Sequence, residues 1–361
     1  MTTSTTKTRT YAADDSAFPN AQIGYAPMID TAEAGDAALR YLELTWREAE
    51  PEEGVYAWEA ISEKYGFASL REQGIHLVLR FVCDVPGQET HLDIPDWLYA
   101  QTKDGSWYDT DYGKGYSPNY ANVVFRAAHH RVLYALAEFL GTDGFVSYVE
   151  LGSLGHWGEW HVCLPELEAT NEQKAKIISA FAENFKTTRI LTRYPGTPGT
   201  TRSGNVGFHD DSFTHSTLYG ESWYFMSKMK KAHQTGAWKN QPIGGEFRPE
   251  GQSAFLSGAP LDGYQDYSEC VNVTHCSWLM MAGAFEENLG ADEIERAKTA
   301  SAALGYDFTV TDARVMKIFG KIYAFVTIKN TGVAPIYYDL GVSFGVGNEK
   351  NAQWTKAENQ K

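Results

Sequence analysis

Two stretches of this chain concentrate side chains able to move protons. One runs Glu150-Leu151-Gly152-Ser153-Leu154-Gly155-His156-Trp157-Gly158-Glu159-Trp160-His161, and the other is Gly244-Gly245-Glu246-Phe247. Cleaving the acetal between two sugars needs one carboxyl held protonated to donate to the leaving oxygen, and a second held ionised as nucleophile or base. Glu159 stands between Trp157 and Trp160, and a carboxyl covered by indoles loses hydration, which raises its pKa toward the acid role. Glu246 follows two glycines that let a ligand come close to the backbone, which suits the nucleophile. Glu150 lies within an apolar run and is the reserve acid, or else the buried partner of Arg80 or His76. An ordinary ion pair is the alternative for each of these carboxylates.

Other polar and aromatic side chains fall near the ends of apolar runs. Glu43, Trp46, Arg80, Asp84, His209, Asp210 and Trp278, together with Glu150, Trp157 and His161, are read as groups that position sugar hydroxyls or stack on a ring. His156, His161, His209 and His215 with Asp210 and Asp211 show no HExxH or paired spacing, so no metal and no other cofactor are expected. The pair His129-His130 lies mid-helix and reads as surface. No GxSxG, Walker or GxGxxG motif occurs, which sets aside hydrolase-fold esterases, nucleotide phosphoryl transfer and dinucleotide oxidoreductases.

The elements that must carry these groups alternate short β-branched runs with longer amphipathic stretches, the pattern of βα units and a parallel sheet. Strands are expected at 22–25, 38–45, 75–82, 146–151, 189–194, 205–208, 242–247 and 275–281. Helices are expected at 58–73, 119–140 and 171–185, with a long loop over 84–118. Eight strands with intervening helices predict a (β/α)8 TIM barrel over 20–304. Active sites in such barrels gather at the C-terminal strand ends, where the candidate carboxylates fall. Residues 1–19 lack an apolar h-region and read as a flexible lead-in, or one that follows a removed signal. After Gly305 the alternation changes to period two, with Asn330-Thr331-Gly332 as a turn. This reads as a small C-terminal β-sandwich-like module over 305–361, shorter than a full sandwich.

The segment Thr45-Trp46-Arg47-Glu48-Ala49-Glu50-Pro51-Glu52-Glu53-Gly54-Val55-Tyr56-Ala57-Trp58 resembles the W-x-E-x-E-P-x-x-G-x-Y-x-(F/W) strand-two segment of β-galactosidase-like barrel glycosidases. The run around Gly152 to His161 is similar to the GxWGEWH signature of an uncharacterised bacterial glycosidase-like barrel family with a C-terminal β-sandwich, and that resemblance covers nearly the whole chain. It implies retaining O-glycoside hydrolysis, with the acid/base after strand four and the nucleophile after strand seven, hence Glu159 and Glu246. The glycosidases place Asn-Glu at the end of strand four. This chain has no such pair, which leaves the acid/base open between Glu159 and Glu150.

Bulk composition fits this reading. The 361 residues suit one large barrel with an appendage, and 43% hydrophobic residues provide its core. A formal net charge of −15 without a basic stripe speaks against nucleic acid and anionic membranes as partners. Aromatic content is 14%, with 10 Trp and 21 Tyr, many beside Gly, Asp, Asn and Pro, as a carbohydrate-binding surface would need. No apolar run is long enough to insert in a membrane. Four cysteines lack metal-type spacing, Cys270 and Cys276 being either a short-loop disulfide or free buried thiols. A secreted or surface location and a cytoplasmic one both stay open, as does oligomeric state. The alternatives carried forward are an inactive carbohydrate-binding barrel and a metal-assisted hydrolase.

Overall fold

The computed structural model describes residues 6–10, 20–32, 34–200, 205–319, 321–348 and 351–356. Eight parallel strands follow one another around a single sheet: β1 (Gly24–Ala26), β2 (Leu39–Thr45), β3 (His76–Val82), β4 (Val146–Glu150), β5 (Arg189–Thr192), β6 (Val206–Phe213), β7 (Ile243–Phe247) and β8 (Trp278–Met280). Closure comes from β8 pairing with β1, and from a parallel bridge of Met28 to Tyr41, where Tyr41 N–H donates to Pro27 at 2.7 Å. The (β/α)8 barrel expected from the sequence is therefore present. Each strand was expected close to its position, with shifts at the ends. The largest shifts are in β6, which runs on to Phe213, and β8, which begins at Trp278.

Side chains alternate across a strand, so every second residue enters the barrel. Leu39, Tyr41, Val78, Tyr148, Leu191 and Trp278 form the apolar interior. One step further along their strands come Glu43, Arg80 and Glu150, and neighbouring strands bring these three level with one another. The register thus places a polar layer on an apolar floor. Outside the barrel, Leu42, Leu44, Phe81 and Val149 pack against Leu133, Leu136 and Phe181 of the surrounding helices.

Local rules account for the helix boundaries and for two departures from expectation. Asn122 caps the helix Val123–Leu140 by accepting from Val124 and Phe125 N–H, so that helix starts later than 119. The expected single helix at 58–73 is two, Trp58–Lys64 and Phe67–Glu72, because Gly66 sits at φ 63° and breaks the run. Among the described residues no helix joins β5 to β6. The stretch expected as a loop over 84–118 contains the helix Asp96–Thr102 and the hairpin Ser106–Thr110/Gly113–Ser117.

The two ends of the chain are interleaved, which corrects the expected boundaries. Thr6–Thr10, expected in a flexible tail, pairs antiparallel with Phe308–Ile318, which pairs in turn with Lys321–Asn330. The period-two segments are antiparallel strands as expected, and Ser343–Asn348 with Asn351–Lys356 make a further hairpin. No residue of Phe308–Ile318 is buried. Residues 333–338 return to the N-terminal face of the barrel. There Tyr338 hydroxyl donates to Ser147 carbonyl and Tyr337 hydroxyl donates to Trp238 carbonyl at 2.6 Å. All four cysteines are free, and Cys270 and Cys276 are buried thiols.

Candidate active site

Arg80 is the centre of the polar layer. Its Nε donates to Glu150 Oε2, its Nη2 lies 3.0 Å from Asp211 Oδ2, and its Nη1 donates to Trp157 carbonyl at 3.2 Å. Tyr41 hydroxyl donates to the same Glu150 oxygen at 2.7 Å. His209 Nδ1 is 2.8 Å from Asp211 Oδ1 and 3.6 Å from Glu150 Oε1. Arg193, at the mouth of β5, reaches Asp210 Oδ1 at 3.5 Å and Asp211 Oδ2 at 3.8 Å, and Thr217 hydroxyl donates to Asp210. Burial alone would raise the Asp211 pKa, but Arg80 and then His209 outweigh it and hold the carboxyl well below the usual range. This network sets two guanidinium groups against the carboxylates around them.

Glu246 stands above this network at the end of β7, partly open to the mouth. No hydrogen bond or ion pair from the described residues engages its carboxyl. Loss of hydration pushes its pKa well above the carboxylate range, and the negative charges of Glu159, Asp211 and Glu150 push it further, while Arg80 pulls against them. Glu43, at the end of β2, is pushed up to about 7 by burial, against the pull of Arg80, with Asp93, Glu159 and Glu150 adding to the rise. Gly244 is required beneath this site, since a Cβ there would lie 2.1 Å from the Trp278 ring.

Glu159 is carried by the loop after β4, with its side chain 19% exposed. Its Oε2 lies 3.2 Å from His161 Nε2 and its Oε1 3.8 Å from Arg80 Nη1. Here the structure corrects the expectation of an indole-covered acid. Trp160 turns away into the outer core, where it is 3% exposed and donates from Nε1 to Leu151 carbonyl. Trp157 lies instead against Tyr112 and His161, with ring centroids 5.5 and 5.9 Å away. Both tryptophans adopt left-handed backbone, φ 53° and 64°, a conformation costing about 1–2 kcal/mol per residue. The surrounding contacts hold that strain at the site.

Gly158 explains how tightly the loop is fixed. Its φ is 71°, and a Cβ there would lie 2.4 Å from the Gly152 carbonyl oxygen, a backbone atom that cannot swing away. Gly158→Ala is therefore expected to destabilise the chain by more than about 1 kcal/mol and to abolish any activity that depends on Glu159. Thermal unfolding and turnover measured on the same preparation check this. An alanine variant matching the parent in both would show that the loop tolerates a different path.

Several expected sugar-contacting residues are walled off from the mouth. Trp278 is fully buried on the barrel floor between Tyr41 and Tyr148. Trp46 is fully buried outside the barrel against Phe81, Phe125 and His129, and donates from Nε1 to Glu50 at 2.8 Å. Glu50 also accepts from Gly54 N–H, so the Trp46-to-Tyr56 motif acts here as a turn clamp. Asp84 is fully buried, accepting from Tyr108 hydroxyl and lying 3.2 Å from His156 Nδ1, so it joins the Ser106–Ser117 hairpin to the Glu159 loop. His209 and Asp210 are likewise fully buried and serve the network. Arg80 and Glu150 form the ion pair that was the alternative reading of Glu150.

The groups that line the mouth are Glu43, Trp157, Glu159, His161 and Glu246. Tyr112 belongs with them and was not singled out, and Asp211, weighed in sequence only for a metal, lies buried beneath them. Tyr112, at the hairpin turn, is 46% exposed beside Trp157 and His161. Asp211 is the carboxylate shared by Arg80 and His209. His129, expected at the surface, is buried with Nε2 2.8 Å from Ser153 Oγ, and burial pushes its pKa down to about 3, so it is neutral.

No family model matches this chain, and no curated protein matches it in sequence. Solved structures do align. Endo-glycoceramidase II from Rhodococcus sp., as its lactosyl-enzyme intermediate, is similar at a TM-score of 0.45 and 13% identity, covering 76% of each chain. The catalytic domain of β-amylase from Paenibacillus polymyxa is similar at 0.49 and 12% identity, covering 76% of this chain and 93% of that one. A β-glucanase from Saccharophagus degradans is similar at 0.41 and 13% identity, covering 73% and 78%. At these identities the likeness is one of fold.

Proposed function

We propose that this chain hydrolyses O-glycosidic bonds of an oligo- or polysaccharide by a retaining mechanism, with Glu246 and Glu159 as the two carboxyl groups. The observation that carries the reading is their unequal surroundings at one barrel mouth. Glu246 is desolvated among negative charges, which favours its protonated form, while Glu159 is partly open and lies beside His161 and Arg80. That is the division of labour glycoside cleavage requires. It also reverses the roles expected from sequence order.

In the first step Glu246 gives its proton to the leaving oxygen as Glu159 attacks the anomeric carbon, forming a glycosyl ester. Glu246, now ionised, takes a proton from water, which attacks the ester and frees Glu159. Trp157 and Tyr112 offer ring faces for the sugar. A panel of chromogenic glycosides and plant and microbial polysaccharides, run against the parent chain and Glu159→Gln, tests the proposal. Hydrolysis lost in the variant supports it, whereas hydrolysis equal in both removes Glu159 from the chemistry.

A metal-assisted reaction has one observation in its favour. Glu150, His209 and Asp211 each present a ligand atom, all within 4.8 Å of one another. However, Arg80 already donates to both Glu150 and Asp211, so a fixed cation meets the charge that a divalent ion would balance. Dialysis against a chelator is therefore expected to leave hydrolysis unchanged. Loss of activity restored by added zinc or manganese would instead put an ion at this triad.

A further inference from the structure

Beside the mouth lies a second cavity, of about 630 Å³, whose walls have a charge unlike that of the whole chain. Lys174, Lys228 and Lys231 line it, with Tyr194, Trp160 and His161. His161 is also the residue next to Glu159, so the cavity adjoins the catalytic pair. Lys174 is neutralised by Glu168 at 2.9 Å, and Glu168 too lines the cavity. Among the described residues, Lys228 and Lys231 have no carboxylate within ion-pair distance. The Lys228 ammonium lies 4.1 Å from the centre of the Tyr194 ring, with Arg193 stacked on the same ring at 5.6 Å.

Such an arrangement is costly when empty. A half-buried ammonium loses hydration, and here it is also close to other cations. Burial first, then Arg193, push the Lys228 pKa down to about 8, while Asp210 pulls it back up. In a chain of net charge −15 an unpaired cluster of cations in a concave site is suited to a bound anion. The Tyr194 ring in its wall fits a sugar that carries the charge.

We infer that this cavity is a subsite for a negatively charged sugar, one bearing a carboxylate or a sulfate ester, beside the bond that is cleaved. The inference rests on the glycosidase reading for its placement beside a scissile bond, and deepens it by naming the substrate class. Lys228 and Lys231 hold the anionic group, and Tyr194 supports the ring. Carboxylate and sulfate present the same chemistry to an ammonium, so only the probe separates them.

Isothermal titration with uronic-acid oligosaccharides, sulfated oligosaccharides and uncharged oligosaccharides of equal length tests this on the full chain. At least one anionic set is expected to bind about tenfold more tightly than its uncharged counterpart at low salt, the gain of a charge-assisted contact. Added salt should weaken that preference, and Lys228→Met with Lys231→Met should abolish it. Lys231→Glu alone, at an exposed position, should also reduce it, which guards against a folding defect in the double variant. Equal binding of charged and uncharged sugars, no binding of any anionic set, or a preference unchanged in the variants overturns the subsite. Hydrolysis is followed in parallel to keep the two readings apart. Cleavage of uncharged glycans without anion preference leaves the hydrolase standing and removes the subsite. Lysine-dependent anion binding with no cleavage of any glycan does the reverse.

Discussion

Glu246→Gln is expected to slow hydrolysis of substrates with poor leaving groups by about 10²- to 10⁴-fold, the usual contribution of a positioned proton donor. An activated aryl glycoside, whose phenolate leaves unaided, should keep much of its first step. Direction with pH follows from the same residue. The pKa of Glu246 lies well above the carboxylate range, so its donor form persists through weakly acidic pH and is lost as pH rises through that value. The parent should therefore show an alkaline fall in kcat/KM that Glu246→Gln lacks. Added azide should restore turnover of Glu246→Ala on the activated substrate and give a glycosyl azide of retained configuration. An azide product of inverted configuration would make Glu246 the nucleophile and return the proton to Glu159. Full activity of both variants would remove Glu246 from the reaction.

Arg80→Met is expected to destabilise the fold by about 3–5 kcal/mol, more than any surface ion pair could. Arg80 is 4% exposed, and it compensates Glu150 and Asp211, whose side chains are fully buried. Removing it leaves two carboxylates in the barrel interior with only the His209 ring beside them and the more distant guanidinium of Arg193. The loss should be largest at neutral pH and shrink in acid as those carboxylates take up protons. Glu150→Gln combined with Arg80→Met should recover part of the loss, because it removes one uncompensated charge. Urea unfolding of the parent, Arg80→Met and the double variant at two pH values checks this. A single variant as stable as the parent would mean that the charge network is not what holds the polar layer.

Much of the barrel was legible because its signals are local. Apolar runs and the end of the long helix at Leu140 depend on neighbours in sequence, whereas its start at Val123 was set by the unread cap at Asn122. Contacts between elements were not. Trp46 and Trp278 look like ring platforms on the page, yet one packs outside the barrel wall and the other on its floor. His129 carried a readable signal, since it falls in the stripe with Phe125, Val132, Leu133 and Leu136. The proton assignment could not be read at all. What raises the Glu246 pKa is burial, and then charge on Glu159, Asp211 and Glu150, all brought about only by barrel closure. Adjacent tryptophans made Glu159 look desolvated, but left-handed backbone at Trp160 sends that indole into the core.

The most direct test of the two-carboxylate site is covalent trapping. The chain would be incubated with 2-deoxy-2-fluoro glycosides carrying a dinitrophenolate leaving group, across a panel of neutral and uronic sugars, and its peptides mapped by mass. A glycosyl adduct on Glu159, absent in Glu159→Gln, is the expected result. An adduct on Glu246, or no adduct and no hydrolysis from any member of the panel, would contradict it.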